Sequence, residues 1–129
     1  MVNKSLRIAL IVTLVASVLS FAKFNHCRGS GWGSPDVYIH MCYSDISALY
    51  GAREINNDRW PYESADNSVE YPVLTGLVMW ATGLVIDDPN GYRPYFDLNI
   101  ALIILLLFFS VFILWRLKPE LSPLFPIAP

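Results

Sequence analysis

The sequence predicts an all-α membrane protein: two transmembrane helices joined by a long extracytoplasmic loop that carries two juxtamembrane helices. Three observations lead there. Of 129 residues, 54% are hydrophobic and only 16% charged, where an ordinary soluble domain has about 25% charged. The apolar residues sit in blocks rather than in core-facing stripes. Basic residues gather beside the two longest blocks, as they do on cytoplasmic flanks of membrane spans.

The first block is Ile8 to Ala22, preceded by Lys4 and Arg7. With Leu6 and snorkelling basic side chains it approaches the roughly 20 residues a bilayer core needs. A signal peptide is the competing reading, with small residues Ser20 and Ala22 placed for cleavage before Lys23. The second span, Leu98 to Trp115, is free of charge and closed by Arg116 and Lys118. Its eighteen residues reach about 27 Å at 1.5 Å each. Both basic flanks belong inside, which requires an even number of crossings.

That count decides how the third block, Val73 to Ile86, is read. Fourteen residues reach only about 21 Å as a helix, and a third crossing would put Arg116 and Lys118 outside. The block is therefore expected to lie in or dip into the outer leaflet, with a tilted short span as the alternative. Pro72 suits its first turn. Thr75, Gly76, Thr82 and Gly83 recur at a spacing of seven and give it a small face for close packing.

The resulting organisation is a cytoplasmic start and first span over 1–22, an extracytoplasmic loop over 23–97 and a second span over 98–116. Residues 117–129 are then a cytoplasmic turn and the start of a further, truncated helix. The loop holds five basic and ten acidic residues, in keeping with basic flanks inside.

Composition also excludes function classes. Nine Lys and Arg against eleven Asp and Glu leave a net charge of −2, the wrong balance for meeting nucleic-acid phosphates. There is no Gly-rich phosphate loop, zinc-protease helix motif or nucleophile elbow. Two cysteines make neither a disulfide scaffold nor a four-Cys zinc site. Cys27 and Cys42 flank a Gly- and Pro-marked stretch, and outside the cytoplasm they favour a disulfide over two unpaired thiols. His26 and His40 read as surface residues, so neither a metal nor a cofactor is expected.

Within the loop, Ser44 is a good N-cap and Asp45 falls in the first turn of a helix over 45–55. Ile46, Leu49, Tyr50 and Arg53 share one face, which describes an interfacial helix at headgroup depth. The helix dipole favours negative charge at Asp45, and a carboxylate there is a candidate base for a hydroxyl group. Its plainer reading is a helix-start acid with no chemistry, and Asp36 is ambiguous in the same way. Arg53 and Arg59 suit a phosphate, or simply pair with neighbours such as Glu54 and Asp58. Trp60, Tyr62, Tyr71 and Trp80 form an aromatic belt or line a sugar site.

In order, the chain presents a first span, CYSDISALYGAR, WPY, EYPVLTGLVMW, and YFDLN opening a second span. This arrangement resembles the N-terminal part of bacterial membrane glycosyltransferases of the GT-C superfamily, glycosyltransferase family 87. That group includes polyprenol-phosphate-mannose-dependent mannosyltransferases of the cell envelope. The resemblance covers most of the chain. It implies two juxtamembrane helices, near 45–55 and 72–86, beneath an active site. It implies an Asp general base, which the SDI motif puts on Asp45, with Arg53, Glu70 and Tyr71 as site-lining candidates. It also implies a polyprenyl-phosphate donor of a hexose, mannose by family, a glycolipid or glycan acceptor, and a surrounding lipid bilayer. Enzymes of this type have many more spans, so these residues alone are expected to be inactive. The alternative is a small non-enzymatic protein with two anchors, displaying an acidic, aromatic loop to a partner.

Overall fold

The computed structural model describes residues 4–121. These are helical segments joined by turns, with no strand among the described residues. Helix α1 is Lys4–Ser30 and helix α5 is Tyr92–Leu121. Both are long and apolar enough to cross a membrane. Between them lie α2 (Asp36–Ile39), α3 (Asp45–Ala52) and α4 (Val73–Ile86), with single 3-10 turns at Ile55–Asn57 and Ala65–Asn67.

The two outer helices outrun the apolar blocks. Helix α1 does not stop at Ala22 but runs on through Ser30, and α5 begins at Tyr92 rather than Leu98. The segment between the two helices is therefore 31–91, lying within the stretch 23–97 expected outside the membrane, and Cys27 lies in a helix. Pairing of the polar extensions accounts for this. Arg28 Nε donates to Asp97 Oδ1 at 2.7 Å, and Arg93 Nη2 donates to the Gly29 carbonyl at 2.6 Å. A hydropathy count does not see such partners. At the other end, α5 continues through Leu121 where a turn from 117 was expected. The rest of the further helix expected there falls on 122–129, outside the described residues.

Residues Phe21–Ala101 form one compact unit and the flanking stretches another. In the flanking unit, Leu6, Thr13 and Ser17 are the buried positions of α1, at spacings of seven and four that define one face. Its hydroxyls bond within their own helix: Thr13 Oγ1 to Ala9 O and Ser17 Oγ to Thr13 O, both at 2.8 Å. That satisfies polar groups in an apolar helix without a second partner.

The unit Phe21–Ala101 has two buried clusters. Tyr50, Ile55, Val69, Met79 and Tyr95 make the larger one. The Tyr50 and Tyr95 rings stack at 4.1 Å, and the Tyr50 hydroxyl donates to Asp88 O at 2.7 Å. Helix α4 supplies its small face here. Gly76, Thr82 and Gly83 are buried, while Thr75 is exposed. A Cβ on Gly76 would collide with the Tyr62 ring, and one on Gly83 would sit 2.7 Å from Ile55 Cγ2. The opposite face of α4 is apolar yet exposed, including Val73, Leu74 and Val85. Buried Asn99 donates to Thr82 Oγ1 at 3.1 Å and to Tyr95 O at 2.9 Å, so this polar side chain in an apolar helix is satisfied.

The second cluster is Cys27, Val37 and Cys42, with Phe24 and Trp32 packed on it. Cys27 and Cys42 are disulfide-bonded and fully buried.

Two expectations for α3 are corrected. The helix ends at Ala52, not near 55, because Glu54 turns left-handed (φ 56°) and drives Ile55 into the core. Its Ile46–Leu49–Tyr50 face does not point at headgroups. Tyr50 is fully buried, with Ile46 and Leu49 packed against the same cluster, since the Tyr95 ring and the turn at Asp88 cover it.

Candidate functional site

Helix α3 positions the first candidate. Ser44 is its N-cap, and its side chain accepts from Ile46 N at 3.3 Å. That geometry puts Asp45 in the first turn with its carboxylate exposed. The Tyr71 hydroxyl donates to Asp45 Oδ2. Burial, and then a hydrogen bond to Asp45, hold the Tyr43 hydroxyl above the ordinary tyrosine range. For Tyr71 the order is reversed: the bond to Asp45 comes first, burial second, and the shift is again upward. Both phenols thus stay protonated beside one carboxylate, with Tyr71 as its donor.

At the other end of α3, Arg53 caps the helix and its Nη2 lies 4.0 Å from Glu70 Oε1. Glu70 and Tyr71 are consecutive, so one extended stretch touches both ends of α3. Asp45 and Tyr71 are brought into contact, and so are Arg53 and Glu70. Arg59 is taken by Glu54, by Glu63 at 3.0 Å and by Ser64 at 3.2 Å, so its guanidinium is already committed.

The belt aromatics tie the loop together. Trp60 and Trp80 meet edge-on at 5.2 Å, Trp80 Nε1 donates to Asp58 O at 2.9 Å, and the Tyr62 hydroxyl donates to Tyr71 O at 2.8 Å.

Along α3, from Ser44 to Ala52 and on to Asn57, lies a cleft of about 570 Å³, walled by Trp32, Tyr38, Tyr43, Ser44, Asn56 and Tyr92 among others. Its size falls in the range of small-molecule sites. Asp45 does not line it, but its neighbours Tyr43 and Ser44 do. Two of the wall residues each carry a buried polar atom without a partner among the described residues: Trp32 Nε1, a donor, and Asn56 Oδ1, an acceptor. Such orphans are uncommon in folded proteins and call for an explanation. The spacing along the chain gave no sign of Trp32 or Asn56, because a glycine turn at Gly31 and the left-handed Glu54 bring them round.

A second polar cluster escaped the sequence reading. His26 and His40, read there as separate surface residues, lie with ring centroids 4.0 Å apart, and Asp36 faces both.

No protein-family model, curated protein or solved structure matches this chain.

Proposed function

We propose that this chain is the N-terminal, membrane-anchored part of a glycosyltransferase that moves a hexose, by resemblance mannose, from a polyprenyl phosphate to a glycolipid or glycan acceptor. One observation carries the reading: a sugar-sized cleft walled by aromatic and hydroxyl side chains, adjoining an exposed carboxylate that accepts from Tyr71. Aromatic faces and paired donors and acceptors are what a polyhydroxylated ring requires. Asp45 takes the proton from an acceptor hydroxyl as that oxygen bonds to the anomeric carbon. The bond from that carbon to the phosphate oxygen breaks, the lipid phosphate leaves with the electron pair, and the carbon inverts. Tyr43 and Tyr71 orient the carboxylate, and Arg53 with Glu70 borders the site.

In this reading α1 and α5 cross the cell membrane and residues 23–97 lie outside it, so the polar ends of both helices project beyond the bilayer, with reporter fusions after Val85 and after Lys118 reading outside and inside. The decisive experiment is Asp45→Asn in the full protein, assayed in membranes with labelled polyprenyl-phosphate mannose. Transfer is expected to fall by about 100-fold or more with membrane insertion unchanged. Transfer at the normal rate would sink the base assignment. A non-enzymatic, partner-binding protein would then be the better reading, with Asp45 serving only as a first-turn acid.

A further inference from the structure

The chain's two histidines come from different helices, His26 from the end of α1 and His40 from the C-cap of α2. Asp36, one turn before His40 on α2, sits between them. His26 Nε2 is 3.6 Å from Asp36 Oδ2, and His40 Nε2 is 3.3 Å from Asp36 Oδ1. One ligand atom from each residue falls within 4.8 Å of the others.

These separations are informative. They exceed the usual 2.7–3.2 Å of an N–H···O bond. The two nitrogen–oxygen distances lie near the edge of a coordination tetrahedron, about 3.4 Å for bonds of roughly 2.0–2.1 Å to imidazole nitrogen and carboxylate oxygen, and the triad as a whole, within 4.8 Å, closes onto an ion by small side-chain rotations. The two nitrogens approach different oxygens of one carboxylate, leaving room for an ion among the three groups. The backbone is held independently of any ion. Cys27 follows His26, Cys42 lies just past His40, and the bridge between them is buried with Cα atoms 6.0 Å apart. The three side chains are 54%, 37% and 46% exposed, so an ion has a way in.

We propose that His26, Asp36 and His40 form a binding site for a divalent transition metal of the zinc class, with at least one coordination position left to water. Two imidazoles and one carboxylate select Zn²⁺, Co²⁺, Ni²⁺ or Cu²⁺ over Mg²⁺ and Ca²⁺, which prefer all-oxygen sets. Three protein ligands on an open surface leave the fourth position to solvent. The site stands apart from the reading of Asp45, and neither depends on the other.

The test uses the full chain in detergent, stripped of metal with a chelator and freed of any polyhistidine tag. Zn²⁺ is titrated against a chromophoric chelator, and Co²⁺ is titrated by its visible ligand-field bands. One equivalent is expected to bind, with excess Mg²⁺ failing to compete. His26→Ala and His40→Ala are each expected to weaken Zn²⁺ binding by about 100-fold, at least the loss seen when a ligand's supporting partner is removed. Absence of saturable one-to-one binding would overturn the proposal, as would binding unchanged in the double variant. A readout without substitution guards against misfolded variants. With only two histidines in the chain, both ring NMR signals of the unmodified protein should move on adding Zn²⁺. Two unmoved signals would equally overturn it.

Discussion

Removing the Cys27–Cys42 bridge with a Cys27→Ala/Cys42→Ala double substitution should loosen one segment and spare the rest. Helix α2 has four residues, far below the roughly 12–15 at which an isolated helix becomes even marginal in water. It is held by a handful of bonds, such as His40 N to Asp36 O and Cys42 N to Val37 O, both at 3.0 Å. Its Val37 packs with the buried Cys27–Cys42 bridge and the partly buried Phe24 and Trp32. The bridge spans 15 residues, which on the chain-entropy model is worth about 3 kcal/mol. At 1.4 kcal/mol per decade, that is a change in local opening on the order of a hundredfold. Hydrogen exchange followed by mass spectrometry in detergent reads it directly. Amides between Gly33 and Cys42 should lose up to that factor of protection, while α4, packed on the other cluster, should not change. A loss below about threefold would refute the reasoning, and would assign the segment's order to Val37 and Trp32 packing instead.

Three further outcomes follow from the same geometry. Asp45→Asn should lower the ionisation pH of Tyr71, whose upward shift comes first from its bond to Asp45. Because the folded value is raised, the stabilisation is fully present below the ordinary tyrosine range and lost as pH rises through the shifted value; ultraviolet titration of tyrosinate in both proteins checks it. Gly83→Ala would put a methyl 2.7 Å from Ile55 Cγ2 and 3.2 Å from Ile55 O, costing about 1–3 kcal/mol in thermal unfolding. Gly29→Ala, with nothing within 4 Å, serves as its neutral control. Asn99→Ala should cost about 1–3 kcal/mol by the same assay, since it removes the donor to Thr82 and Tyr95 O at a buried position.

Legibility in the sequence followed the range of the interactions. The apolar blocks marked two long helices, and Ser44 with its following acid marked the start of α3, because hydropathy and capping are local. The spacing of Gly76 and Gly83 marked a face of α4, yet nothing named Tyr62 and Ile55 as what packs there. The Ile46–Leu49–Tyr50 face was visible as a face but was assigned to lipid headgroups. Only the folded chain brings Tyr95 over it. The candidate site divides in the same way. Asp45 was visible from its cap, and Tyr71 as a belt or sugar-site aromatic, but nothing local paired the two across 26 residues. The orphaned atoms of Trp32 and Asn56 were invisible. So was the meeting of His26, Asp36 and His40, which depends on the chain reversing between Gly31 and Pro35.

The outer face of α4 bears on how this protein can be handled. Val73, Leu74, Leu77, Val78, Leu84 and Val85 are all exposed on a helix whose other side is already committed to protein. A continuous greasy strip of this kind is rare on monomers that live in water. Cutting the long apolar stretches away to release Phe21–Ala101 as a convenient soluble piece would therefore fail. The fragment would carry its own need for amphiphile, and in plain buffer it would self-associate along that strip.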